Sequence, residues 1–477
     1  MFKGLKGIDL SAEVAGANLG DARLAKRLER LVEQLKDEPS MGLPRAIGDE
    51  GQLEAGYRFF NNQRVTPAGI LEPHFGQTAA RCLALPSVLM LHDTSELSYN
   101  SEMDAREGLG VLPQGHRGFL AHVALAVAEN RIREPLGVLG FETLLPVKTP
   151  PTGTRSEKEK SYQREGPEER KSARWRRLAY ATQERLASHP CVIHVADREA
   201  DSYLLFAGFI EKGLRFVIRS NYDRHLEEGR LRDALNDVPG TFLREVPIQW
   251  QRGKKQRRKK GRRPDREARL AQLFVRAGSI TIPQPPTAPN TAPSVTLNLV
   301  EVYEAEPPEG CEAIRWLLLT SEAIATHADI ERVVDIYRAR WTIEEFFKAL
   351  KTGCSIEKRQ LTSFDALVNA LAVFIPIAWR MLLLRSRAKD EPDAQSVTLT
   401  PDELVVLRHY SKRMKSLEEP TNKQILYALA GLGGHLKRNG DPGWQTLAHG
   451  CQKFHLLYEG WCAGRAAAQD ASRCDQS

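Results

Sequence analysis

The chain has 477 residues, of which 42% are hydrophobic and 27% are charged, a composition typical of a globular protein of about three domains. These proportions exclude a mainly disordered, collagen-like or small disulfide-stapled protein. The seven cysteines form no CxxC pair, which favours free thiols in a reducing cytoplasm over a disulfide framework or a zinc ribbon. His449, Cys451 and His455 lie close together, but their spacing fits no common zinc motif.

The net charge of +7 is concentrated in one segment. Residues 252–269 hold eleven Lys and Arg against two acids, so the remainder of the chain is close to neutral. Such a run indicates a phosphate-rich partner, although most charge runs are solvated loops. The N-terminus lacks the apolar region of a signal peptide, and the charge-free stretch 366–379 is too short to cross a membrane. We therefore expect a cytoplasmic protein without a membrane partner.

Residues 1–75 are predicted to form a small helical module. Asp21 is placed to cap a helix, and Thr66-Pro67 is a start signal for another. Between them, EAGYRFFNN (54–62) is helical in pattern. The first helix has an apolar face formed by Leu24, Leu28, Leu31, Val32 and Leu35, with Arg23, Lys26, Arg27 and Arg30 outside it. Basic outer faces suit DNA binding, although a solvated helix surface has the same pattern.

From about residue 86, short apolar strands alternate with helical stretches, which predicts a mixed α/β sheet. Two of the strands, SVLMLHD and CVIHVAD, end in an acid, at Asp93 and Asp197. Ligands bind at strand ends in open α/β sheets, although a single strand-end acid is more often a cap. Residues 225–310 interrupt the pattern with the basic run and strand-like segments, and we interpret them as a β-rich insertion.

A long helix is predicted over residues 328–351. Its polar residues recur at steps of three and four, which places them within an arc of about 80°. They are Tyr337, Arg340, Glu344, Lys348 and Lys351. Ala339, Ile343, Phe346 and Leu350 lie on the opposite side and are expected to face the core. Pairs such as Glu344 and Lys348 also occur on exposed helices for stability alone.

The last hundred residues are helical in pattern, with a capping box at Thr400. Apolar residues recur at steps of three and four near the C-terminus: Trp444, Leu447, Cys451, Phe454, Tyr458 and Trp461. Such a short stripe is equally compatible with self-association and with packing inside its own chain.

Three carboxylates without a cysteine or imidazole cluster favour Mg²⁺ or Mn²⁺ over zinc. Two such ions about 3.5–4 Å apart can serve phosphoryl transfer by activating the attacking oxygen and stabilising the leaving oxygen. Cations beside the acids suit a polyanionic substrate. The pattern therefore indicates metal-dependent chemistry on a nucleic acid.

The motifs resemble those of the bacterial DDE transposases of the insertion-sequence-four family, which carry a Y-R-E-K signature. The matching segments are DTSELSY, ADREADSY, LGDARLAKRL, EAGYRFFNN, RWLLLTSE, IYRARWTIEEFFKALKTG, LTPDE, ALAGLGG and WQTL. The resemblance covers nearly the whole chain. It implies a DNA-binding domain over 1–75, an RNase H-like catalytic domain with its insertion over 76–385, and a helical dimerisation domain over 386–477.

The resemblance also implies roles for individual residues. Asp93, Asp197 and Glu344 match the catalytic, metal-binding triad. Contacts with transposon-end DNA are implied for Tyr337, Arg340, Lys348, Lys351, Trp316, Arg219, Arg23, Arg27 and Arg58. Trp316 matches an aromatic residue that stacks on the DNA end, although it could also be a core tryptophan. Asn221 stands where the family relative has a lysine, two positions after Arg219.

The implied activity is cut-and-paste transposition with Mg²⁺, or Mn²⁺ in its place, and two bound ions. A homodimer would hold two double-stranded transposon ends and target DNA, and a DNA hairpin would be an intermediate. Two other functions are compatible with the residues. One is a plain metal-dependent nuclease, and the other is a catalytically silent DNA-binding relative, although an intact triad argues against the latter.

Overall fold

The computed structural model describes residues 10–99, 106–146, 173–248 and 268–474, except 114, 131–132, 309–310, 312, 397–398, 412–413, 415–418, 437 and 439. Nearly all of the basic run predicted at 252–269 lies outside the described residues, as does most of the charged stretch at 150–180.

Four helices form the N-terminal region: α1 (Ala22–Asp37), α2 (Leu43–Ile47), α3 (Glu50–Phe60) and α4 (Pro67–Leu83). The capping predictions are confirmed, because the Asp21 carboxylate accepts from the Arg23 N–H and the Thr66 hydroxyl accepts from the Gly69 N–H. The apolar face of α1 is buried, apart from the half-buried Leu24. Helix α4 continues past the predicted boundary at residue 75 and packs against the sheet.

The described residues contain one ten-stranded mixed sheet. Its strands are β1 (Val88–Ser98), β2 (Gly110–Val111), β3 (Arg117–Ala128), β4 (Pro135–Leu144), β5 (Val192–Ala196), β6 (Arg215–Arg219), β7 (Thr241–Ile248), β8 (Arg269–Pro283), β9 (Ser294–Glu304) and β10 (Arg315–Thr320). The spatial order is β2-β3-β1-β5-β6-β10-β9-β8-β7, with β4 also paired to β3. β1, β5 and β6 run parallel, whereas β3 and β4 are antiparallel neighbours.

The insertion is not a separate layer. Strand β10 pairs with β6 on one side and with β9 on the other, so β7, β8 and β9 extend the central sheet. Residues Ser279–Ile282, recognised from the sequence as a short strand, are the end of the much longer β8. The mixed α/β class predicted from the sequence agrees with this sheet and its helices.

The remaining helices lie on the sheet and at the C-terminal end of the chain. They are α5 (Ala173–Arg185), α6 (Tyr203–Glu211), α7 (His327–Ala339), α8 (Trp341–Lys348), α9 (Phe364–Asp390), α10 (Pro401–Tyr410), α11 (Asn422–Leu432) and α12 (Trp444–Cys474). The helix expected over 328–351 is therefore interrupted at Arg340, between α7 and α8, and ends in a π-helical turn at Ala349–Gly353.

Helix α9 is the central core helix. It is long and apolar enough to cross a membrane, but 89% of its most apolar window is buried inside the protein, so it gives no sign of a membrane span. The Asn369 amide on α9 donates to the carbonyls of Phe60 and Val65. Just before α9, the buried Arg359 guanidinium donates to the carbonyls of Pro39 and Met41. These bonds hold the N-terminal helices against the rest of the protein.

Helix α12 packs inside its own chain over its first half. Trp444, Leu447 and Phe454 are buried, and the Trp444 indole N–H donates to Glu345 Oε2 at 3.1 Å. From Glu459 to Ala468 the side chains are exposed except for the half-buried Trp461. The first part of the apolar stripe therefore packs inside its own chain. Self-association through the second part stays a prediction.

Candidate active site

Asp93 lies in the middle of β1, not at its end as the sequence predicted. Strand β1 runs on to Ser98 because β3 continues to pair with it as far as Gly118. The neighbouring parallel strand β5 stops earlier, and its Ala196 pairs with His92. Asp93 and Asp197 are therefore the next residues on two adjacent strands and lie side by side. The prediction that Asp93 ends its strand is therefore wrong, while Asp197 directly follows the end of β5.

Glu344 reaches the same place from helix α8. The opposite side of the helical segment is buried, as predicted, since Ala339, Ile343, Phe346 and Leu350 are each at most 1% exposed. This packing fixes the rotation of the helix and aims Glu344 at the edge between β1 and β5. The three acids thus come from two strands and one helix that share a single core.

Arg340 lies between the three carboxylates. Its Nη1 is 3.3 Å from Asp93 Oδ2, its Nη2 is 3.9 Å from Asp197 Oδ2, and its Nη2 donates to Glu344 Oε1. The Arg340 side chain is only 11% exposed. One guanidinium thus contacts every acid of the predicted triad.

The two aspartates differ in their electrostatic environment. Burial raises the pKa of Asp93 to about 6, although the nearby Arg340 and the Thr94 N–H act in the opposite direction. Burial also acts to raise the pKa of Asp197, but the Arg198 N–H, Arg340 and the Tyr337 hydroxyl outweigh it and leave that pKa below its ordinary value. Asp93 is therefore the acid whose charge the site supports less well.

An aromatic and cationic group adjoins Asp197. The Tyr337 hydroxyl donates to Asp197 Oδ1 at 3.1 Å, and burial raises the pKa of Tyr337 to about 12. The Trp316 ring packs edge-on against Tyr337 with centroids 5.5 Å apart, and the Arg219 guanidinium lies 5.8 Å from the Trp316 centroid. Four of the predicted site residues, with Asp197 included, are therefore contiguous.

The two lysines of the predicted stripe have different surroundings. Lys351 Nζ donates to the Glu96 carbonyl on β1 at 2.5 Å and lies 4.0 Å from Glu357. Lys348 does not reach the acids: it pairs with Glu345 at 2.5 Å, and its Nζ is 5.0 Å from the Trp341 ring centroid. Lys348 lies one turn after Glu344 within α8, but its side chain turns to Glu345, and the helix passes into a wider π-helical turn before Lys351.

The N-terminal arginines line a separate cleft of about 360 Å³ between α1 and α3. Arg23 pairs with Asp21 at 3.0 Å, Arg58 pairs with Glu54 at 3.5 Å, and Arg27 donates to Gln52. Asn62 and Arg64 also line this cleft and were not anticipated from the sequence. Such a cluster of guanidinium and amide groups has the donors that read base edges and phosphates.

Sequence reasoning also missed a polar layer beneath the acids. His92, His122 and His194 are buried, and burial lowers their pKa values, so they are neutral at pH 7. His92 and His194 are joined by a 3.0 Å hydrogen bond, and His122 contacts the Thr94 hydroxyl at 2.9 Å. The signal was present, because His92 and His194 occupy inward positions of the two strands that carry the acids.

Two further side chains at the rim were missed. Arg174 on α5 donates to the Thr94 hydroxyl on β1 at 3.1 Å and to Glu199, in the turn after β5, at 2.8 Å. Trp341 is 54% exposed directly after Arg340. The exposure of Trp341 is visible only in the structure, so the sequence offered no signal for it.

The three carboxylates suit a hard divalent cation because they offer only oxygen atoms as ligands. All three also lie within reach of the Arg340 guanidinium. In the present arrangement, however, no group of three acidic, histidine or cysteine side chains among the described residues is arranged to hold a metal ion. Arg340 stands between the acids instead. We predict that Asp93, Asp197 and Glu344 would hold such an ion, and Arg340 occupies the space between them in this structure.

Two family models match the chain. The model described as "Transposase DNA-binding" matches residues 10–65, which contain α1, α2, α3 and the arginine-lined cleft. The model described as "Transposase DDE domain" matches residues 176–375, which contain Asp197, Arg340 and Glu344. Asp93 lies between the two matched regions, and its strand β1 pairs with β5, which lies in the second region.

Proposed function

We propose that this chain performs cut-and-paste transposition. It is a DDE transposase, and therefore a metal-dependent enzyme that cleaves DNA and transfers a strand. We place it in the insertion-sequence-four family with the Y-R-E-K signature, because its motifs resemble those of the Tn-five transposase. DDE transposase domains use divalent metal ions, generally Mg²⁺, and we propose two ions at this site.

The three acids supply the chemistry and the neighbouring side chains bind the substrate. Asp93, Asp197 and Glu344 would hold the ions, whose chemistry would be to activate the attacking oxygen and to stabilise the leaving oxygen. Tyr337, Arg340 and Lys351 bind phosphates of the transposon end, with Lys348 as an outer cation. Trp316 and Arg219 border Asp197 and contact the DNA end, where the indole ring stacks on a base.

The reaction proceeds through four displacements at phosphorus. Water attacks a phosphate at the transposon end, and the broken P–O bond leaves a free 3′-OH. This hydroxyl attacks the opposite strand, which forms a hairpin and releases the flanking DNA. A second water opens the hairpin, and the 3′-OH then attacks a phosphate of target DNA. Each step breaks one phosphodiester bond and forms one P–O bond, so one set of acids can serve them all.

The domains divide the remaining work. We propose that residues 1–75 recognise the double-stranded end through Arg23, Arg27 and Arg58, that residues 76–385 catalyse, and that residues 386–477 mediate a homodimer that pairs two ends. The exposed half of α12 offers surface for this contact. Such a protein would act in the bacterial cytoplasm, on the nucleoid.

The observation that carries the proposal is the convergence of Asp93, Asp197 and Glu344 on one guanidinium. We would incubate wild type and Glu344→Ala with Mg²⁺, the element's own terminal duplex and a target plasmid. We expect hairpins and joined products from wild type, and binding without either product from Glu344→Ala. Cleavage without joining would indicate a plain nuclease, and specific binding without any cleavage would indicate a silent relative.

A further inference from the structure

The two residues of the helical stripe nearest the acids are bound to the acids themselves. The Arg340 guanidinium contacts Asp93, Asp197 and Glu344, and the Tyr337 hydroxyl donates to Asp197. Under the proposed function, the same two side chains bind DNA phosphates. They therefore have two competing sets of partners.

The competition at Arg340 is imposed by geometry. A guanidinium has five N–H donors in one planar fork, and it binds phosphate best through two parallel bonds from one edge. Here both terminal nitrogens are directed at carboxylates, and the side chain is 11% exposed. The guanidinium cannot present its fork to an external phosphate while it keeps these partners.

Charge gives the second reason for an exchange. Three carboxylates near one another repel, and Arg340 is the cation that contacts all three among the described residues. Divalent ions bound by the same oxygens would take over the lone pairs that Arg340 uses and would repel its positive charge. Arg340 must then leave, and a phosphate is a suitable new partner.

The backbone at Arg340 suits such a movement. Arg340 lies between α7 and α8, where the regular hydrogen-bond ladder is interrupted. Its N–H bonds to the Tyr337 carbonyl three residues back, and its carbonyl accepts from Ile343 three residues on. These are the i→i+3 bonds of a 3₁₀-helix, and a short 3₁₀ stretch within a longer helix often marks a hinge.

We propose that Arg340 is a resident counter-cation: it neutralises the three acids in the metal-free protein and passes to a DNA phosphate when metal ions enter. This inference rests on the proposed function. The consequence is a positive coupling between metal ions and end DNA, because each ligand favours the position of Arg340 that the other ligand requires. By thermodynamic linkage, bound end DNA must then tighten metal binding by the factor by which metal tightens DNA binding.

The test is a Mn²⁺ titration followed by electron paramagnetic resonance of the free ion, without DNA and with a saturating pre-cleaved end duplex. We compare wild type with Arg340→Gln, which keeps hydrogen-bond donors but removes the charge. The matched control is Arg338→Gln, because Arg338 lies two residues away at the end of α7, is 38% exposed and pairs with Asp335. Arg340→Lys is a second variant, for use if Arg340→Gln fails to fold.

Without DNA, we expect Arg340→Gln to bind Mn²⁺ about tenfold more tightly than wild type, within the usual range of such couplings, and Arg338→Gln to match wild type. The duplex should tighten Mn²⁺ binding to wild type but not to Arg340→Gln. Arg340→Lys, which retains the charge without the fork, should lie between them. Mn²⁺ should also raise the melting temperature of Arg340→Gln more than that of wild type.

Two results would contradict these expectations, and they differ in meaning. If wild type binds Mn²⁺, Asp197→Asn does not, and Arg340→Gln binds no more tightly than wild type, the counter-cation is refuted while the proposed metal site survives. If wild type binds no Mn²⁺ with or without DNA, the proposed function itself fails, and this inference fails with it.

Discussion

The acid site and the N-terminal cleft both gather arginines, but they use them differently. Arg340 is 11% exposed and is surrounded by three carboxylates on other elements. In the cleft, Arg23 is 91% and Arg58 71% exposed, and each pairs with an acid only two or four residues away. The first arrangement is built by the whole fold, and the second by the surface of single helices.

Under the proposed function, this difference separates the catalytic site from the surface that recognises DNA. Reacting groups must be held within fractions of an ångström, so catalytic side chains are positioned by packed strands and helices. A recognition surface has to remain open to a large ligand, and its arginines acquire their final partners only on binding. The exposed pairs in the cleft cost little to break, since surface ion pairs contribute about 0–1 kcal/mol.

The sharpest test of the comparison removes one acid. Asp197→Asn should lower end cleavage by about 10³-fold or more, because loss of a metal ligand forfeits several kcal/mol of transition-state stabilisation. End-DNA binding measured without metal should change little. A gel assay for nicked and hairpin products, beside a binding titration in EDTA, checks both. A variant that still cleaves at a comparable rate would place the metal site elsewhere.

A change in the cleft should give the opposite result. Replacing Arg58 by alanine should weaken end-DNA binding by about 10–100-fold if it reads a base edge, or reduce the salt dependence if it holds a phosphate. The rate of cleavage of fully bound DNA should stay near that of wild type. Lys453→Ala on α12 is the control, since Lys453 is exposed on another helix. An equal loss of end-DNA binding in Lys453→Ala would show that the cleft has no special role in binding.

Stability offers a third comparison. The pKa of Asp93 in the folded protein, about 6, lies above its ordinary value of 3.8, so folding favours the protonated form. The stability that this provides is complete below pH 3.8 and is lost as the pH rises through 6. Asp93→Asn should therefore be more stable than wild type at pH 7.5 in EDTA, by about 1–3 kcal/mol.

Denaturant melts at several pH values check this prediction. The advantage of Asp93→Asn should shrink at pH 5 and disappear below pH 4, where both proteins are neutral at this position. A difference that is independent of pH would mean that packing, and not charge, determines the effect. Replacement of an arginine in one of the exposed N-terminal pairs should give no stability change with a comparable dependence on pH.

The smallest effect concerns the two lysines of the stripe. Lys348 pairs with Glu345 away from the acids, whereas Lys351 lies against β1 at the Glu96 carbonyl. We expect Lys348→Ala to weaken end-DNA binding by less than about threefold, as for a screened outer cation, and Lys351→Ala to weaken it more. Parallel titrations at two salt concentrations decide this. A larger loss at Lys348 would show that the DNA extends over α8.

Local patterns predicted the parts of the molecule that local physics determines. Caps at Asp21 and Thr66, the buried face with Ile343 and the alternation of strands and helices all follow from short-range rules, and the structure contains them. The strand end predicted at Asp93 was wrong, because β1 continues beyond it and strand length depends on a partner strand that is remote in sequence.

The other features of the site depend on contacts between residues that are far apart in the sequence. Nothing near Arg340 in the sequence shows that its guanidinium reaches Asp93, which comes from a strand far along the chain. The histidine layer escaped notice because each histidine stands alone in an apolar strand and becomes a cluster only when β1, β3 and β5 align. Lys348 likewise shares its helix face with Glu344, but its side chain takes Glu345 as partner, a choice that helix periodicity does not determine.

Strand β10 has a consequence for the order in which the chain is made. β6 is finished at Arg219, but the strand that covers its open edge begins only at Arg315. During synthesis, the whole insertion must leave the ribosome while that edge remains unpaired, and unpaired edges attract other strands. Because β10 also carries Trp316, the last strand to join the sheet is one that borders the acids. A chain that ends before Arg315 therefore lacks the Trp316 side of the acid site as well as the strand that closes its sheet.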